Sequence, residues 1–148
     1  MVDSSSWISL ARSGLLGLLS DIGIEAVLLD VVRAECVEQG LSGDHADATA
    51  LETVMTPLAV QRTAGQSTSA DLAVLDAAKR EGVLVANDLT LGRRARNLGV
   101  RWLRSADLVV LGVRAGRVES QRGQRAIVAL RDAGGITDAL ADDYLASM

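Results

Sequence analysis

Short apolar runs alternate with stretches of helical periodicity along most of this chain. The runs at residues 25–29 (EAVLL), 57–60 (PLAV), 83–86 (VLVA) and 100–103 (VRWL) have the length and composition of strands. Val2-Asp3 reads as the end of a further short strand, because residues 4–19 are helical in character. Between the strands, apolar positions recur at three- and four-residue spacing over 30–39, 44–54, 70–81 and 89–98. Gly40 is expected to stop the first of these helices and Gly82 the third, with Ser69 as an N-cap, while residues 61–68 read as a polar loop. Helices near 107–111, 121–133 and 137–147 complete the pattern. Alternating strands and helices predict an α/β fold, a three-layer α/β/α arrangement around a doubly wound, mainly parallel sheet of four to five strands. At 148 residues, with no repeat or low-complexity tract, the chain reads as one domain, 1–148.

Composition changes this picture in two ways. There is no Phe and only 2% of residues are aromatic, so the core is expected to be aliphatic and stacking of bases on exposed rings is disfavoured as a binding mode. One cysteine, Cys36, excludes an internal disulfide, and a single histidine, His45, argues against zinc; both suit a cytoplasmic location. No apolar run is long enough to span a membrane, and Met1-Val2-Asp3 has neither the basic start nor the apolar stretch of a secretory signal.

The formal net charge is −4, yet residues 89–118 hold Arg93, Arg94, Arg96, Arg101, Arg104, Arg114 and Arg117 against Asp107 alone. That segment can attract a polyanion where the whole chain would not, although solvated helix faces account for it equally well. Arg93, Arg94 and Arg96 are the candidate phosphate contacts by position.

Four acids carry the candidate chemistry. Asp3 and Asp88 fall where predicted strands give way to helices, the edge at which open α/β sheets bind ligands. Taken singly, each reads first as a helix cap. Asp71 projects onto the apolar arc of its helix, with Leu75 and Ala78 at i+4 and i+7, so its carboxylate is expected to face the core edge and to need a partner. Asp76 makes the contrast, lying on the polar side with Arg80 four residues on. Glu35 projects between Val31 and Val32, and Glu38 is close enough in sequence to replace it. Gathered carboxylates must protonate or hold a cation, and an all-oxygen set suits Mg²⁺ or Mn²⁺. Such an ion would make phosphodiester hydrolysis possible without histidine.

The segments Val2-Asp3-Ser4-Ser5, Val31-Val32-Arg33-Ala34-Glu35, Ser69-Ala70-Asp71-Leu72-Ala73 and Leu84-Val85-Ala86-Asn87-Asp88 resemble, in order and spacing, the motifs of PIN-domain ribonucleases such as VapC-type toxins. The chain departs from them at Ala86, where Thr or Ser is common, and at Val31 or Val32, where Pro is common. The resemblance implies an Mg²⁺- or Mn²⁺-dependent endoribonuclease with Asp3, Glu35, Asp71 and Asp88 as catalytic metal-site acids. Ser4 or Ser5 would supply a hydroxyl beside Asp3, and Asn87 would support the site from behind the ligands. It further implies an RNA substrate, a homodimer, and an antitoxin protein if the chain is the toxin of such a pair. The alternative is a catalytically silent PIN-like binding or dimerisation module. A Ser-His-Asp hydrolase lacks a nucleophile elbow, a dinucleotide-binding domain lacks glycines after the first strand, and a phosphorylated signalling domain lacks a lysine at the end of a late strand.

Overall fold

Caps and stops divide the chain much as its polar punctuation predicts. A computed structural model describes residues 1–63 and 69–148; the polar loop expected at 61–68 therefore lies outside the described residues from 64 on. Asp3 caps α1 (Ser4–Arg12), accepting the Ser6 N–H at 2.8 Å, and the predicted helix over 4–19 breaks at Gly14 before α2 (Leu18–Asp21). Strand β1 (Leu28–Leu29) runs into a helical stretch made of α3 (Asp30–Arg33), a π-turn (Ala34–Gln39) and α4 (Gly40–Ser42). Gly40 does not stop this helix as expected. A Cβ there would come within 2.9 Å of the Ala48 side chain, so its role is to let α4 pack closely on α5 (Ala48–Met55).

Strand β2 (Val60–Gln61) follows, then α6 (Ala70–Glu81), β3 (Val83–Val85), α7 (Leu89–Asn97) and β4 (Arg101–Leu103). Ser69 caps α6 through the Leu72 N–H, and Gly82, at φ +78°, ends it in the left-handed conformation that glycine adopts without strain. Three helices close the chain: α8 (Ser105–Arg114), α9 (Ser120–Asp132) and α10 (Asp138–Ala146), the last capped by Thr137.

The expected sheet does not form. Helix accounts for 61% and strand for 8%, and among the described residues the strands make two separate parallel pairs, β1 with β2 and β3 with β4, rather than one doubly wound sheet of four to five strands between helical layers. Parallel pairing and helical crossovers are retained; the continuous ladder is not. The break has a local cause. Val2 bridges Val85, with Asp3 N–H donating to Val85 O at 3.0 Å, but the chain turns into α1 at Ser4 and no ladder extends from there to β1. Of the predicted strand at 25–29 only Leu28 and Leu29 pair, and of that at 57–60 only Val60, which continues to Gln61.

An aliphatic cluster of Leu, Val, Ile and Ala packs the interior, as the absence of Phe requires, with Trp7 buried among them. Trp102 sits flat against α7 at Gly92, where a Cβ would come within 2.0 Å of the ring. Its Nε1 donates to Ala86 O at 2.7 Å, fixing the ring under the β3–α7 turn. Among the described residues no helix is long and apolar enough to cross a membrane.

Candidate active site

Asp3, Glu35, Asp71 and Asp88 line one open cavity of about 250 Å³, together with Ser4, Ser5, Ala70 and Val74. Each acid arrives on a different element. Asp3 ends the segment that bridges β3, Glu35 lies in the π-turn after β1, Asp71 stands in the first turn of α6, and Asp88 caps α7 three residues beyond β3. A π-turn displaces side chains from α-helical register and is found often at functional sites; here it presents Glu35 to the cavity while Val32, Cys36 and Val37 stay buried. Glu38 does not replace it, being exposed and paired with Arg33 at 3.3 Å.

The four acids differ in depth. Asp3 is 6% exposed, Glu35 is half-buried, and Asp71 and Asp88 are exposed. This corrects the expectation that Asp71 faces the core edge: at the first turn of α6 its side chain lies on the cavity rim in contact with solvent. Hydrogen bonds orient the deeper pair. Ser5 Oγ donates to Asp3 Oδ2 at 2.7 Å, whereas Ser4 Oγ donates to Glu35 Oε2 at 2.5 Å and not to Asp3. The Cys36 thiol, pushed up to about 12 by burial, points at Ser4 O at 3.8 Å and is a packing group. Asp88 Oδ1 accepts the Leu91 N–H at 2.6 Å, so Asp3 and Asp88 do act as helix caps while also lining the cavity.

Burial raises the Asp3 pKa; donors from Ser6 and Ser5 oppose this, and the negative charge of Asp71 adds to it. Among the described residues no basic side chain forms an ion pair with any of the four acids. The six pairs present are Arg12–Asp47, Arg33–Glu38, Lys79–Asp76, Arg122–Asp21, Arg131–Asp132 and Arg131–Asp138. Every donor facing the cavity is oxygen, which fits a hard cation such as Mg²⁺ or Mn²⁺. The spacing is looser than one coordination shell: among the described residues no three Asp, Glu, His or Cys side chains converge on a single ion-sized centre.

Asn87 does not contact the acids. Its Oδ1 accepts the Ser105 N–H at 3.0 Å and its own N–H donates to Ser6 Oγ at 3.1 Å, tying the β3–α7 turn to the starts of α8 and α1. Arg93, Arg94 and Arg96 lie exposed on α7 without ion pairs among the described residues, and none of them lines the acid cavity. Arg96 instead borders a smaller cavity with Trp102, Arg104 and Asp107. Sequence reasoning missed two features. Glu35 also borders a neighbouring cavity with Arg12, Cys36, His45 and Asp47, and Arg104 is set apart from the other arginines by its place over Trp102. Neither has a local sequence signal, since both depend on which distant segments meet. Comparisons with protein-family models, with curated proteins and with solved structures gave no match.

Proposed function

We propose that the chain is a metal-dependent endoribonuclease that hydrolyses RNA phosphodiester bonds at the cavity bounded by Asp3, Glu35, Asp71 and Asp88. One observation carries the reading: four acids from four remote segments border a single cavity, and among the described residues none of them forms an ion pair with a basic side chain. Carboxylates in that state favour binding a divalent cation, which relieves both their mutual repulsion and the burial of Asp3.

Asp3 and Glu35 would be the fixed ligands, held by the Ser5 and Ser4 hydroxyls. Asp71 and Asp88 are exposed and would close on the ion by side-chain rotation. Because burial raises the proton affinity of Asp3, cation and proton compete for it, and binding weakens as pH falls. When bound, Mg²⁺ or Mn²⁺ supplies a polarised phosphate oxygen and a water of lowered pKa. Arg93, Arg94 and Arg96 would hold flanking phosphates from α7, whose first turn begins at Asp88. The choice of RNA, and with it a homodimer and an antitoxin protein as partners, draws on the motif resemblance.

A second reading, a silent binding or dimerisation module, is favoured by the absence of three convergent ligands and by the capping duty of Asp3 and Asp88. Cleavage of mixed cellular RNA separates the two. The nuclease reading expects cleavage in Mg²⁺ or Mn²⁺ that EDTA abolishes. It also expects Asp71→Asn to slow cleavage by about 100-fold or more, at or beyond the upper end for groups that merely orient ligands. Cleavage that survives both treatments, or none under any condition, would overturn it.

A further inference from the structure

The Asn87-Asp88-Leu89 turn separates the acid cavity from a second cavity of about 490 Å³, bordered by Asn87, Leu89, Arg104, Thr137, Leu140 and Asp143. That size is within the range of sites for small organic ligands, roughly 300–1,000 Å³. Arg104 is its distinctive wall. The guanidinium lies 4.7 Å from the centre of the Trp102 ring, which the Ala86 hydrogen bond and the flat contact at Gly92 hold in place. Asp107, the nearest acid in sequence, accepts the Arg104 backbone N–H at 2.7 Å and the Tyr144 hydroxyl at 2.6 Å, and the Arg104 side chain in turn hydrogen-bonds to Tyr144. Among the described residues Arg104 forms no ion pair with a carboxylate. The result is a half-buried cation, stacked on Trp102 and hydrogen-bonded to Tyr144 without a carboxylate in ion-pair contact among the described residues, beside a recess with Leu89 and Leu140 in its wall.

A ligand matched to this recess carries a phosphate for the guanidinium fork and a flat, largely apolar body for the space between the leucines. We propose that the recess seats one nucleotide of single-stranded RNA next to the scissile bond, with Arg104 on its phosphate. The inference rests on the nuclease reading for the identity of the polymer, and it adds a binding subsite to it. Asp143 at the exposed rim repels a second phosphate and can accept from a base amino group.

The test measures binding in EDTA, where cleavage plays no part, using a fluorescent single-stranded RNA hexamer of mixed sequence, the same hexamer without bases, and an RNA duplex. Arg104→Gln is expected to weaken hexamer binding about tenfold and to flatten the dependence of log affinity on log salt by about 0.7, the loss of one phosphate contact on a single strand. Ala139→Trp fills the recess from an exposed position, so the fold is spared. It is expected to weaken the hexamer by a similar factor and the baseless strand by less than twofold. Melting temperatures check that both variants fold. Wild-type affinity and slope in both variants, an undetectable hexamer complex in the wild type, or an equal loss for duplex and hexamer would overturn the subsite. Magnesium-dependent cleavage by the wild type alongside unaffected variants would sink the subsite and leave the nuclease standing. Arg104-dependent binding without any cleavage would support the subsite as a nucleotide site and sink the nuclease.

Discussion

The acid cavity and the Arg104 recess lie on opposite sides of one three-residue turn, and they are built in opposite ways. On the acid side, charge is gathered from four segments, two of its carboxylates are exposed, and among the described residues no basic side chain is ion-paired with them. On the other side a single cation is immobilised by packing, with Trp102, Gly92 and the Asp107–Tyr144 pair fixing everything around it. On the proposed reading the anionic region is open to an exogenous cation and the cationic region is preorganised for an anion. An anionic substrate would then meet a bound cation on one side and a guanidinium on the other.

The comparison can be broken hardest at Gly92. Adding a methyl drives a Cβ to 2.0 Å from a ring that cannot retreat without giving up the Ala86 hydrogen bond. Gly92→Ala should cost about 1–3 kcal/mol in urea unfolding despite the better helix propensity of Ala, and should weaken hexamer binding while leaving metal binding at the acid cavity intact. Loss of both together would mean that the two sides are one cooperative unit.

A change of pH sharpens the acid side. The Asp3 pKa is raised in the folded state above its ordinary 3.8, so the folded protein takes up a proton at higher pH than the unfolded chain does. Its contribution to stability is full below 3.8 and lost as pH rises through the folded value. In EDTA, the melting temperature of Asp3→Asn minus that of the wild type should therefore be larger at pH 7 than at pH 4.5. A constant difference would show that Asp3 is not under electrostatic stress.

The smallest effect belongs to the helix that joins the two regions. Arg93→Gln, Arg94→Gln and Arg96→Gln should each flatten the salt dependence of RNA affinity by about 0.7 where the residue touches a phosphate. An unchanged slope removes that residue from the RNA path.

Much of the helical outline was legible because caps and stops are local: Ser69 and Gly82 act within one turn of where they stand. Gly40 misled because a glycine that permits close packing looks the same in sequence as one that ends a helix. The sheet was overdrawn because an apolar run of strand composition does not fix how many residues find a partner, and here two or three do. The four acids were legible as a set, since they do share a cavity, but their depths were not. Asp71 was placed too deep by its projection among Leu75 and Ala78, and Asn87 reaches Asp3 only through Ser6 while its side chain holds Ser105. Arg104 was one of seven arginines until the fold placed it over Trp102.

The central claim, that these acids share a divalent cation, is tested most directly by thermal unfolding of wild type and Asp71→Asn across a titration with Mg²⁺ and Mn²⁺. A ligand of the folded state alone adds about 2.7 kcal/mol at one hundred times its dissociation constant. The wild-type melting temperature should climb with metal and the Asp71→Asn temperature should climb far less. No rise in either protein, or the same rise in both, would contradict the account.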